Sequence, residues 1–226
     1  SFLLIRQYRT EKSVMNSKSK RRVAYFYNEE ASTFFFQKGS PFNSWRAALA
    51  HNLMMEYGLL KHVDFHLTPK ATSADLMRFH SPDYIKSLER LPNTGYKKSK
   101  FMNDFNIDVD TLIMDGLYYF LQLAAGGSLA AATAIASKKA DIAINWIGGM
   151  HHAKKRGASG YCFVNDCVLA VMKLLDTFDR VMYLNVSAHH CDAVEEAFYY
   201  TDRVLVLSFH KLFAFPGTGI LEEIGR

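Results

Sequence analysis

Short apolar runs separated by polar, turn-forming residues set the rhythm of this chain. In the first half, Val23-Ala24-Tyr25-Phe26-Tyr27 and Val63–Leu67 predict two strands, with a helix between them from about Trp45 to Tyr57 that is apolar at Leu49, Leu53 and Met54. Ser73–Phe79 and Asp83–Leu91 predict two further helices, with Ser or Asp ahead of the first turn and Pro82 suited to the first helical position. Residues 92–111 are polar and turn-rich, which predicts a long surface loop, a kind of segment that often carries function in a compact domain.

The second half is more regular. Asp141–Trp146, Arg180–Val186 and Arg203–Phe209 predict strands, and Val164–Leu175 and Asp192–Tyr199 predict helices between them. Continuous apolar strands alternating with helices indicate an α/β domain with a parallel sheet covered on both faces. Sites in such sheets lie just past the strand carboxyl ends, here Gly148–Lys155, Ser187–Asp192 and Ser208–Lys211. The charge-free stretch Gly116–Ser137 is long enough to span a bilayer. Gln122, the Gly126-Gly127-Ser128 break and the alanine-rich run to Ala136 instead predict two close-packed buried helices, the second starting at Ser128. No repeat or linker divides the chain, so we read a basic tail over 1–22 and one domain over 23–226. The alternation stops at Gly217-Thr218-Gly219, so that domain reads as incomplete.

Composition is globular, at 49% apolar and 14% aromatic residues over 226. The net charge of +5 points to nucleic acid until its distribution is considered. The first 22 residues hold seven Lys/Arg and one Glu, so the remainder has no general basic face and no direct nucleic-acid partner is expected. Lys18–Arg22 reads as a solvated tail, or alternatively as a nuclear-import or phosphate-binding patch. Cys162, Cys167 and Cys191 form no CxxC pair, which fits a reducing compartment. Ser1–Arg6 is too short an apolar stretch for a signal peptide, and the lack of an initiator Met leaves the true start open.

Two histidine doublets carry the chemistry: His151-His152 in GGMHHAKK and His189-His190 in LNVSAHHCDA, each beyond an apolar strand-like run. Together they place four imidazoles at neighbouring strand ends. Adjacent side chains on an extended segment point to opposite sides, so His151 and His152 are not expected to serve one atom in the same way. A histidine pair beside a metal suits general acid–base work. A zinc site needs three protein ligands from His, Asp, Glu or Cys. His189 and Asp192 are available, and Cys191 is a candidate whose default is a buried inert thiol. Asn185 and Ser187 stand where carboxylates would be wanted, and a serine hydroxyl is a poor zinc ligand.

DIAINWIGGMHHAKK (141–155), ASGYCFVND (158–166), EEAFYYTDRVLVLSFHK (195–211) and FPGTG (215–219), with RFHSPDYI (78–85) and Tyr25–Tyr27 upstream, closely resemble class I histone deacetylases, with a lean towards the corepressor-associated third member. The resemblance runs from about Arg22 to Arg226. It implies an arginase/deacetylase-like α/β fold, zinc-dependent removal of acetyl groups from histone lysines, acetylated histone tails and a corepressor complex as partners, and a nuclear location with the cytoplasm also open. His151 and His152 match the site histidines, with His152 as general acid/base and Asp192 as its supporting carboxylate. His189 matches a zinc ligand, Asp110 the rim aspartate that holds the substrate backbone, and Gly160, Tyr161 and Phe215 the walls of the acetyl-lysine tunnel.

The departures are concentrated at the metal. Ser187 occupies the position of a zinc-binding aspartate, and Asn185 that of the aspartate paired with His151, which also contributes to a potassium site. Cys191 and Ala193 replace two glycines, and Ser40, Asn43, Ser44 and Trp45 replace the family's His, Lys, Pro and His. The family's third zinc ligand and its transition-state tyrosine belong to C-terminal strands that do not appear in this sequence, and their absence predicts two open apolar strand edges. One imidazole does not hold zinc as a closed site does, and without the metal water is not made acidic enough to supply hydroxide near neutral pH. The chain therefore reads as a catalytically impaired member of the family. Two other readings stand beside it: an active deacetylase within a longer product, with a metal site rearranged around His189, Cys191 or Asp192, and a fragment without a folded state of its own.

Overall fold

A computed structural model describes residues 20–34, 43–91, 104–107 and 114–223. Along the chain these form β1 (Val23–Tyr27), α1 (Arg46–Glu56), β2 (Asp64–Leu67), α2 (Ser73–Leu76), α3 (Pro82–Glu89), α4 (Leu117–Ala136), β3 (Ile142–Asn145), α5 (Asp166–Leu175), β4 (Val181–Val186), α6 (Asp192–Phe198) and β5 (Val204–Phe209). Every strand pairing among the described residues is parallel, as continuous apolar strands joined through helices require. Strands β2, β1 and β3 lie side by side in that order, with Tyr25 opposite Phe65 and Ile144.

Strand β1 is buried on both faces because its side chains alternate. Tyr25 and Tyr27 point towards α1, where His51 stacks on Tyr27 with ring centroids 4.1 Å apart. Ala24 and Phe26 point the other way, onto the alanine-rich side of α4 at Ala130, Ala131 and Ala134. Pro82 begins α3, and Thr72 and Asp75 close α2 with a reciprocal capping box.

The two helices expected across Gly116–Ser137 are a single continuous helix, α4. The glycines do not break it; they are where other backbone touches it. A Cβ on Gly126 would lie 1.9 Å from the Pro69 carbonyl oxygen, and one on Gly127 would meet the Asn145 amide at 2.6 Å. That close approach lets Asn145 donate to the Ala124 carbonyl, at 3.0 Å, and lets Gln122 and Ala71 exchange two 2.9 Å hydrogen bonds. Among the described residues α4 alone is long and apolar enough to cross a membrane, and it is mostly buried against this core.

The sheet covered on both faces is realised only in its first half. β4 and β5 form a separate pair, with Asn185 opposite Ser208, and no described strand joins β3 to β4. Between their facing edges lies a cavity of about 230 Å³ lined by Ile142–Trp146, Tyr183 and the small side chains of α4 and α5. Among the described residues these two strand edges have no partner strand, as expected. One face of the β4–β5 pair packs on α5 and α6 through Val181, Tyr183 and Val204. The other exposes Met182, Val186, Leu205, Leu207 and Phe209, because the residues that alternate with the buried set are apolar too.

Of the expected surface loop at 92–111 only 104–107 are described, and these are partly buried. Phe105 and Ile107 are buried, and the Phe105 carbonyl accepts from the Ala158 amide. An aromatic and an isoleucine amid polar neighbours anchor that short stretch in the core.

Replacing Gly126 by Ala is expected to destabilise the chain by about 2 kcal/mol or more in chemical denaturation. Overlap with the Pro69 backbone outweighs the roughly 1 kcal/mol that alanine gains in helix propensity.

Candidate active site

The segment after β3 is shaped by the first residues of α5. Asp166 is buried, and its carboxylate accepts from the amides of Gly149, at 2.9 and 3.0 Å, and Met150, at 2.7 Å, and from the Ser128 hydroxyl at 2.5 Å. Asn165 caps α5 by accepting from the Val168 amide. Its own side-chain amide donates to the carbonyls of His151 and Ala153, and its backbone N–H donates to His80 Nε2 at 2.9 Å. Burial lowers the pKa of His80 to about 4, offset in part by the backbone at Lys154 and Lys155.

Held this way, the His151-His152 segment is a turn and not an extended strand, with the His151 amide donating to the Gly149 carbonyl at 3.0 Å. The expectation that the two rings point to opposite sides therefore fails. Their centroids are 4.2 Å apart, edge to face, and both rings are buried.

The second doublet divides. Beyond β4, the Ser187 hydroxyl accepts from the His189 amide at 3.2 Å, while the Asn185 amide donates to the His189 carbonyl and to the Ser208 hydroxyl, each at 2.8 Å. His189 turns towards the first doublet, its ring 5.6 Å from that of His152. His190 turns away into a buried position, held by Glu195 at 2.8 Å and Thr218 at 2.9 Å. Three imidazoles therefore gather, not four: one ring nitrogen from each of His151, His152 and His189 lies within 4.8 Å of the others.

Asp192, at the start of α6, lies 2.7 Å from His152 Nδ1, and Lys154 is 2.7 Å from its other oxygen. Burial would raise the Asp192 pKa, but the bonds from His152 and Lys154 outweigh it and hold the carboxyl below its ordinary value. His152 Nδ1 pairs with Asp192, and its Nε2 is buried without a partner. Burial, helped by the neighbouring His152, lowers the His151 pKa to about 3. Its Nδ1 and the Asn185 Oδ1 are both buried without partners, so Asn185 makes no hydrogen bond to His151.

Gly160, Tyr161 and Phe215 meet at this centre. The Phe215 ring stands edge-on to His152 at 4.9 Å and lies 5.9 Å from His189. Gly160 is required by contact, since a Cβ there would come within 2.5 Å of Phe215 and 2.9 Å of His152. A cavity of about 280 Å³ opens on the imidazoles, with Arg46 and Tyr161 in its lining. Asp110 and Ser40 lie outside the described residues. Cys191 is not among the gathered groups: it is fully buried in the α5–β4–α6 core, and burial raises its thiol to about 11. Sequence reasoning missed Asp166, Asn165, Ser128 and His80 as the groups that hold the turn. Asn165-Asp166 ahead of an apolar run was a legible cap signal, but its reach to residues 149–153 was not.

The family description "Histone deacetylase domain" matches residues 40–226. The chain is 45% identical over 213 residues to Histone deacetylase HDAC1 of Drosophila melanogaster, covering 93% of this chain and 41% of that protein. It is 44% identical to Histone deacetylase 1 of Homo sapiens, over 92% of this chain and 43% of that protein. Type-1 histone deacetylase 1 of Dictyostelium discoideum is 43% identical, over 92% of this chain and 42% of that protein. The chain thus spans about two-fifths of the length of these relatives.

Two outcomes follow from the support beneath the doublet. Asp166→Asn replaces an acceptor oxygen by an amide facing N–H donors, and a loss of about 3 kcal/mol is expected in urea denaturation. Because His80 is neutral in the fold down to about pH 4 but titrates near 6.5 when unfolded, the unfolded chain binds the extra proton between those values. Its stabilisation is complete above pH 6.5 and is lost as pH falls to about 4, on the order of 3 kcal/mol. His80→Gln should flatten that part of the stability profile.

Proposed function

Because this chain belongs to the histone deacetylase family, we propose that it retains the family's acetyl-lysine slot while its zinc-dependent hydrolysis is impaired or lost. The observation that carries this reading is the state of Asn185 and Ser187. Ser187 accepts from the His189 amide, and the Asn185 amide donates to the His189 carbonyl and to Ser208 of β5. In the zinc set that the resemblance implies, His189 keeps its role, while a neutral hydroxyl stands where a carboxylate ligand belongs. These residues do not fit that set, since a hydroxyl supplies neither the charge nor the affinity of an aspartate. The amide at 185 likewise lacks the charge expected of a potassium-site carboxylate.

What remains suits binding. Tyr161 and Phe215 offer half-exposed aromatic walls for the apolar stem of an acetylated lysine, with Gly160 letting Phe215 lie against His152. Asp110 is assigned the substrate backbone at the rim. His152, oriented and charge-compensated by Asp192, is the group equipped to hold or move a proton, at Nε2. We assign the protein to acetylated histone tails and a corepressor complex in the nucleus, where it would occupy acetyl-lysine more than release acetate.

Acetate release from acetylated histone peptides, measured with and without added zinc, is expected at least about 1000-fold below an intact relative assayed alongside. Zinc-dependent turnover at the relative's rate overturns the reading. The double substitution Ser187→Asp with Asn185→Asp is expected to raise zinc affinity before it restores hydrolysis, read by metal titration beside the same assay.

A further inference from the structure

We propose that the groove between α4 and the uncovered face of β2 is a binding site for a medium-chain alkyl carboxylate. The groove shares no lining residue with the imidazole centre, so the proposal stands apart from the chemistry assigned there.

The groove holds about 540 Å³, within the range of small-molecule sites. Its floor is the face of β1 that carries Ala24 and Phe26, and its long wall is one side of α4 from Gly126 to Ser137. At about 1.5 Å per residue that wall runs for about 16 Å, which suits an extended chain better than a compact ring. His66 of β2 forms the facing wall, its ring stacked on Phe26 with centroids 5.1 Å apart. One end is closed where Pro69 crosses α4, so near that a Cβ on Gly126 would lie 1.9 Å from the Pro69 carbonyl oxygen. Ala130 and Ala134 end at their Cβ atoms, which leaves the space between helix and strand open for an apolar body to leave water.

Charge decides the head group. Four cations line the groove, Lys70, Arg78, Lys139 and Lys173, against two carboxylates, Asp64 and Asp75. Asp75 is already used, accepting from the Thr72 amide at 2.8 Å and from the Thr72 hydroxyl at 2.7 Å, and the charge of Asp64 acts on Arg22. Arg78 and Lys173 share a single outside carboxylate, Asp176, at 2.9 and 3.5 Å. Lys70 rests on the Tyr119 ring, 4.7 Å from its centroid, and neither Lys70 nor Lys139 has a carboxylate partner among the described residues. Positive charge therefore exceeds negative around an apolar interior. The side chains of Arg78 and Lys173 are 34% and 35% exposed, so an anion beside them meets less screening than on open surface. The same cations repel an alkylammonium, and they leave an alkyl alcohol without a counter-charge.

The test titrates the purified chain with three probes that share one tail: octanoate, octanol and octyltrimethylammonium. Octanoate is expected to bind once per chain and about tenfold or more tighter than either of the others. Ala134→Phe, which places a ring in the groove, should weaken octanoate by about tenfold or more, and the double substitution Lys70→Glu with Lys139→Glu by about tenfold. Leu205→Glu, on the exposed face of the β4–β5 pair, should change nothing. If the variants fail to fold, the wild-type chain still decides: octanoate should shift the imidazole NMR signals of His66 and leave those of His152 and His190 in place. Shifts at His152 in place of His66, equal binding of the three probes, or octanoate affinity that survives Ala134→Phe each overturn the proposal. A dimer in sedimentation that Ala134→Phe dissolves overturns it as well, because a second copy then fills the groove.

Discussion

The buried carboxylate of Asp166 is the constraint on which the centre depends. It stands at the first turn of α5 and collects two backbone amides from the segment after β3 and a hydroxyl from α4. A buried carboxylate must be surrounded by donors, and here the available donors are the residues that precede the histidine doublet. Asn165 extends the grip by one residue, capping the helix while tying down the carbonyls of His151 and Ala153. One helix start thereby fixes the position of two imidazoles.

The consequence runs outward from there. With the doublet held in a turn, His152 can reach Asp192 across from α6, and Phe215 can close over it because position 160 has no side chain. The half of the molecule around α4 is dense, with glycines at its contact points and aromatic rings stacked under α1. The other half, β4–β5, leaves an apolar face and an edge uncovered. His189 belongs to that less supported half, which explains why it is the exposed member of the imidazole cluster.

Asn185 and Ser187 act through the same logic. The Ser187 hydroxyl accepts from the nearby backbone, and the Asn185 amide donates to the His189 carbonyl and the Ser208 hydroxyl while its Oδ1 stays buried without a partner. The loop beyond β4 is therefore held by two neutral side chains.

Much of the fold was legible in the chain. Strand positions, their parallel pairing and the strand-end location of the site follow from continuous apolar runs alternating with helices, because period and burial are local properties. The glycines at 126 and 127 misled, since a gap in side chains marks a break and a close contact equally well, and only the position of Pro69 and Asn145 distinguishes them. Likewise GGMHHAKK and the stretches around it identified the family, and Asn185 and Ser187 stood out where carboxylates were expected. Tertiary structure alone decided that His151 and His152 share a side, that His190 leaves the cluster, and that Cys191 is buried away from it. Those directions are set by hydrogen bonds between residues far apart in sequence, above all from Asn165 and Asp166, which no local pattern encodes.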